Sequence, residues 1–198
     1  NICTAQALLA TMSGFYAVYH GPEGLRDIAH RIHAYAGYLA EQLVAMGYKQ
    51  LNDNFFDTLY IELPEGLSAE KLREIALDCQ VNLRYYEDGR HIGISIDETT
   101  LESDLSVLLY IFSQLQGKDG DIEGTEVDDT KVYFDKKFAR QSDFLQYETF
   151  QKYHSETELM RYIKRLDRKD ISLAQSMISL GSCTMKLNAA SEVAQLSN

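Results

Sequence analysis

Apolar residues recur at helical spacing from the start of the chain. Ala5, Leu8, Leu9, Met12, Phe15, Tyr16 and Tyr19 predict a helix over 4–19, with Thr4 placed as its cap. Gly21-Pro22 breaks that helix, and Pro22 suits the first turn of the next one. The second helix carries Leu25, Ile28, Ile32, Tyr35, Leu39, Leu43 and Met46 on one face and ends at Gly47. The period then shortens. Residues 56–63 read as a strand closed by Pro64-Glu65-Gly66. Ser68 caps a helix through Leu72, Ile75, Ala76 and Cys79, with Cys79 on the apolar side as a buried, inert thiol. Residues 81–86 and 91–96 flank a turn at 87–90 and predict a hairpin, with Ile92, Ile94 and Ile96 toward the core. Thr99 or Thr100 then caps a helix through Leu101, Leu105, Leu108, Ile111, Phe112 and Leu115, followed by Gly117. Helix, helix, strand, helix, two strands, helix describes an α+β unit over 1–116, its antiparallel sheet covered by helices on one face.

The pattern changes after that unit. Over 117–137 Asp119, Asp121, Glu123, Glu126, Asp128 and Asp129 alternate with Gly120 and Gly124, so this stretch reads as a solvated acidic linker. Carboxylates at alternate positions invite a calcium reading, but the closing Glu of a twelve-residue calcium loop is missing. Residues 138–198 begin as an aromatic arm with Phe138, Phe144, Tyr147, Phe150 and Tyr153. Ser155 and Glu158 form a capping box for a helix over 156–167 that has Leu159, Tyr162, Ile163 and Leu166 on one face. Its basic end, with Lys164, Arg165 and Arg168, suits the helix dipole or an acidic partner. Asp170 and Ser172 open a short helical turn before Ile178.

Composition narrows the function. The chain has 198 residues, 45% of them hydrophobic, enough for one full domain and part of another. A net charge of −11 speaks against nucleic-acid binding, which needs a basic face. No apolar run approaches the length of a membrane span. Cys3, Cys79 and Cys183 are scattered and odd in number, which favours a reducing compartment over a disulfide framework. His30 and His33 lie one turn apart and could share a metal. No nearby Glu or Cys stands in register with them, so they read as a partly solvated helix face with an aromatic lining. Asn1 is no initiator, and both ends read as cut from a longer polypeptide.

The densest chemistry lies near the end. From Ser182 the pattern alternates, placing Ser182, Thr184, Lys186 and Asn188 on one side of an extended run and Cys183, Met185 and Leu187 on the other. One side would press into a core, while the other offers hydrogen-bond donors and one positive charge to a small anion. The same hydroxyls would equally serve a loop that caps neighbouring helices.

The run Gly181-Ser-Cys-Thr-Met-Lys-Leu-Asn188, preceded by Ser179-Leu180, resembles the glycine dehydrogenases (decarboxylating), the P-protein family of the glycine cleavage system. Asn1-Ile-Cys-Thr-Ala-Gln-Ala-Leu-Leu-Ala10, Tyr19-His-Gly-Pro-Glu-Gly-Leu25 and His154-Ser-Glu-Thr-Glu-Leu-Met-Arg-Tyr162 resemble the same family, in the same order. The acidic stretch is the weakest part of the likeness. The resemblance implies that residues 1–116 are the small C-terminal-type domain of an aspartate-aminotransferase-like pyridoxal phosphate enzyme, and that the chain bridges the two halves of the parent protein.

The implied reaction decarboxylates glycine and passes the aminomethyl group to the lipoyl arm of a carrier protein, the H protein. Pyridoxal phosphate is the implied cofactor of the intact enzyme. The rest of the same polypeptide and a second copy in a homodimer are the other implied partners, with a bacterial cytoplasm or a mitochondrial matrix as the compartment. The family's cofactor lysine follows a histidine in a glycine-rich stretch. No His-Lys pair occurs here, so no catalytic residue is assigned, and Lys186 is not that lysine. The chain alone is expected to be inactive and to hold no cofactor. Ser182, Thr184, Lys186 and Asn188 are expected to line the substrate and carrier-arm pocket, with Cys183 as packing or a redox-sensitive thiol. A different class remains open on the residues alone, a non-catalytic α+β scaffold whose aromatic arm and basic helix dock a partner.

Overall fold

The structure is a computed structural model that describes residues 5–118, 127–128, 131–171 and 175. The chain divides into two compact units. One combines residues 1–22 with 145–198, and the other is 23–144.

The first helix, α1, spans Ala5–Ala45, but Gly21 inside it is not helical (φ 64°, ψ −177°). Its two pieces match the two helices expected on either side of Gly21-Pro22. Proline has no N–H for the ladder and glycine tolerates the left-handed conformation, so the break falls where both effects coincide.

In the larger unit, β1 (Lys49–Gln50), β2 (Thr58–Glu62), β3 (Arg84–Tyr85) and β4 (His91–Ser95) form one sheet. Its order is β1-β2-β4-β3, with each pair antiparallel. In the central pair Leu59 faces Ile94 and Ile61 faces Ile92. These four side chains are 0–2% exposed, whereas Thr58 and Ser95 lie in solvent, so alternation gives the sheet one buried face. The helices α2 (Ala69–Asp78) and α3 (Glu102–Leu115) and the second piece of α1 bury Leu72, Phe112, Ile111, Leu39 and Leu43 in the same core. Each such side chain contributes roughly 1.5–3 kcal/mol relative to exposure. The result is the α+β fold expected, a sheet with its helices on one face.

A buried phenol ties the ends of α1 and α3 together. Tyr48 donates from its hydroxyl to the Phe112 carbonyl at 2.7 Å, and its ring meets that of Phe112 edge-on at 5.0 Å. Burial pushes the Tyr48 phenol well above its usual pKa, so it remains the donor. Gln116 adds a bond to the Met46 carbonyl at 2.8 Å.

Local signals in the sequence mostly act as expected. Ser68 accepts from the Lys71 N–H at 3.2 Å and caps α2. The β3–β4 turn is closed by Gly89 at φ 68° and by Asp88, whose carboxylate takes the N–H groups of Arg90 and His91 at 3.0 Å. Those N–H groups and the His91 ring hold the Asp88 carboxyl down to about 2. One element goes unread and two readings need correction. Lys49–Gln50 forms an edge strand that two residues could not announce. The N-cap of α3 is Leu101 rather than Thr99 or Thr100, and its N–H goes to Asp104 at 2.8 Å. The two threonine hydroxyls turn instead to the Asp97 carboxylate, Thr99 at 2.7 Å, because that charged acceptor outcompetes the helix end. Cys79 is half-buried at the C-cap of α2, where the helix face gives way to the surface.

In the smaller unit, α4 (Glu156–Asp167) starts at the Ser155 cap as expected, but only half of the capping box forms, because the Glu158 carboxylate meets the Ser155 hydroxyl rather than its N–H. Ser155 accepts from the Glu158 N–H at 3.3 Å and donates to its carboxylate at 3.0 Å. Tyr153 and Tyr162 stack at 4.3 Å, and the Arg165 guanidinium lies over both rings. Phe15 from α1 meets Tyr162 edge-on at 6.2 Å. The turn proposed at Asp170 and Ser172 reaches beyond the described residues.

The helix break is sealed from this same region. An interrupted helix leaves carbonyls of its last turn without intrahelical donors. The Tyr19 carbonyl accepts from His154 Nδ1 at 2.6 Å. Two motifs 135 residues apart thus meet at one backbone atom. A Cβ on Gly21 would lie 2.7 Å from both the His154 ring and the Phe150 carbonyl. We therefore expect Gly21→Ala to cost about 1–3 kcal/mol, from the left-handed backbone and the clash together. Urea unfolding checks this. His154→Ala should not rescue the variant, because the Phe150 carbonyl is backbone. An unchanged midpoint would remove this account of the break.

Candidate functional site

Of the residues singled out from the sequence, Ser182, Thr184, Lys186 and Asn188, with Cys183, lie outside the described residues. The site that the described residues do form sits in the larger unit, around His33.

His33 is 6% exposed. Its Nδ1 lies 2.8 Å from the Phe56 carbonyl, and its Nε2 lies 2.9 Å from the Tyr133 N–H. A carbonyl only accepts and an amide N–H only donates. The ring is therefore the neutral tautomer with its proton on Nδ1, donating to Phe56 and accepting from Tyr133. Both nitrogens are committed, which closes the metal reading of His30 and His33. Among the described residues no group of three or more His, Cys, Asp or Glu could hold a metal ion.

The aromatic lining expected for this helix face is present. His33 stacks on Phe56 at 5.9 Å and meets Phe134 at 5.0 Å and Tyr133 at 5.5 Å. Tyr133 and Phe134 belong to the stretch expected to be solvated. Here they run across the helix as a strap, and Tyr133 fits over Gly37, where a Cβ would stand 1.8 Å from its ring. The Tyr133 hydroxyl donates to Glu41 at 3.1 Å, and Lys131 pairs with the same carboxylate at 3.0 Å. Burial, then the Glu41 charge, pushes the Tyr133 phenol up to about 12. Composition pointed away from this contact. The only hint was the pairing of a small residue on the α1 face with an aromatic pair inside an acidic run.

The strap roofs a cleft of about 580 Å³. Leu25, Ala29, Phe56, Phe134 and Phe144 give it apolar walls, and Arg26, Lys131 and Arg140 bring cations to it. Both arginines approach one ring, with Arg26 Cζ 5.1 Å and Arg140 Cζ 5.2 Å from the centroid of Phe144.

Pyridoxal phosphate does not fit this donor set. The cofactor needs a lysine amine and a carboxylate for its pyridine nitrogen. Lys131 is paired with Glu41, and no carboxylate lines the cleft among the described residues.

The helix-covered antiparallel sheet is an α+β domain, and comparison with known proteins gives its family. A family model described as "Glycine cleavage system P-protein" matches residues 1–112. The chain is 60% identical over 197 residues to the glycine dehydrogenase (decarboxylating) of Bacteroides thetaiotaomicron, with all of this chain and 20% of that protein aligned. It is 49% identical to the enzyme of that name from Thermosynechococcus vestitus, again over 20% of the relative. It is 48% identical to the mitochondrial one of Gallus gallus, over 19%. The chain belongs to the P-protein family of the glycine cleavage system. It spans about a fifth of the length of the curated relatives it matches.

The fit of Tyr133 over Gly37 makes a sign-changing prediction. Gly37→Ala should destabilise by about 1–3 kcal/mol, by expelling the Tyr133 ring. In a Tyr133→Ala background the same change should stabilise, by up to about 1 kcal/mol, because alanine is then simply the better helix former. Denaturant midpoints of the four proteins test this, and additive effects would contradict it.

Proposed function

We propose that this chain is a working part of a glycine dehydrogenase (decarboxylating). The intact protein would release carbon dioxide from glycine and hand the remaining aminomethyl group to the lipoyl arm of the carrier protein. Identity of 48–60% along the whole chain to proteins of that name is the observation that carries this reading. On this reading residues 1–116 are the small domain closing the first half of the parent, 117–137 the acidic connection, and 138–198 the opening of the second half.

Pyridoxal phosphate would be held by parts of the parent beyond this chain, since the family's cofactor lysine follows a histidine and no His-Lys pair occurs here. This chain's share of the pocket would be Ser182, Thr184, Lys186 and Asn188. Thr184 and Asn188 would donate hydrogen bonds to the glycine carboxylate or to the carrier arm, with Lys186 adding positive charge. Cys183 would face the packing side. The 198-residue chain alone would be inactive, and the parent would act as a homodimer, in the cytoplasm of a bacterium or in the mitochondrial matrix.

The test uses the parent polypeptide with pyridoxal phosphate, carboxyl-labelled glycine and the lipoyl carrier protein. Labelled carbon dioxide is expected from the parent and none from the 198-residue chain. Thr184→Ala with Asn188→Ala should lower glycine turnover about 10²-fold, the scale expected when positioned donors at a reacting group are removed. Unchanged turnover in that variant would make the segment structural. No release from the parent, with cofactor bound, would move the activity to another substrate.

A further inference from the structure

We infer that the cleft beneath the Tyr133–Phe134 strap binds a small organic acid, a carboxylate carried on a flat apolar body. Its volume of about 580 Å³ lies in the range of small-molecule sites. Phe56, Phe134 and Phe144 supply ring faces and edges for a flat apolar group.

The charge pattern selects the other end of the ligand. Arg26 and Arg140 both approach the Phe144 ring, and both line the cleft. Neither enters an ion pair among the described residues, and Arg140 donates only to the Ser142 hydroxyl, at 3.2 Å. Lys131 is already paired with Glu41, so the two guanidinium groups carry the uncompensated charge. This happens in a chain with 30 acidic and 19 basic residues, in a cleft with no acid in its lining among the described residues. A planar guanidinium matches a carboxylate through two parallel N–H···O bonds, and its apolar face stays on the ring. The inference does not depend on the glycine reaction.

The test measures binding of 1-naphthoate and of its neutral isostere 1-naphthamide, by calorimetry, to the 198-residue chain and to the parent polypeptide. Naphthoate should bind both proteins saturably, with naphthamide about tenfold weaker or more, as loss of a charge-assisted pair implies. Arg26→Gln with Arg140→Gln should weaken naphthoate by a similar factor and leave naphthamide unchanged. Equal affinity for acid and amide would overturn the inference, as would absence of saturable binding. Binding by the chain but not the parent would also overturn it, by giving the cleft to the rest of the polypeptide. The acid-to-amide ratio on the unaltered chain decides the matter even if the double variant misfolds.

Discussion

The larger unit depends on one imidazole having two hydrogen-bond partners of opposite kind. His33 comes from α1, Phe56 from the approach to β2, and Tyr133 from a segment a hundred residues further along the chain. A buried ring between them must donate to one and accept from the other, and a buried polar group left unpaired costs about 1–3 kcal/mol. The same bond sets the path of the strap. With the Tyr133 N–H fixed at Nε2, its ring falls on Gly37, its hydroxyl reaches Glu41, and Phe134 turns onto His33. The cleft with its two arginines exists because the strap lies there.

The sheet is organised by a different rule. Leu59, Ile61, Ile92 and Ile94 stand at alternate positions of β2 and β4 and point to the face that meets the helices. Tyr48 then locks α1 to α3 at one end through a single buried bond. In the smaller unit the equivalent role falls to His154 at the Tyr19 carbonyl. A side chain distant in sequence thus meets α1 at its break, His154 at Tyr19, and just past its end, Gln116 at the Met46 carbonyl. Backbone groups released from a helix need such partners.

The helices, the Gly21-Pro22 break and the Ser68 and Ser155 caps could be read from the chain because each rests on residues within one or two turns of one another. The hairpin was legible for the same reason. Lys49–Gln50 was not, since two residues carry no period. Thr99 and Thr100 misled because both capping and binding to Asp97 suit a hydroxyl, and only the backbone path decides between them. The strap was hidden by composition. Tyr133 and Phe134 follow Asp128 and Asp129, and a local average over that run reports solvation while two aromatic residues do the packing. Of the candidate site, the aromatic surroundings of His33 were legible on α1, but the residues that complete them lie 100 positions away. The polar run at 182–188, which carries the functional expectation, rests on the family likeness rather than on described geometry.

The tautomer of His33 tests the central constraint most directly. Long-range proton–nitrogen NMR of the ring separates the two neutral tautomers by the chemical shifts of the two nitrogens. The structure predicts the neutral ring with the proton on Nδ1 and an accepting Nε2, and a Tyr133 amide protected from hydrogen exchange. A proton on Nε2, or a Tyr133 amide exchanging as freely as one in solvent, would contradict it. The strap would then lie elsewhere, and the cleft built on it would not exist.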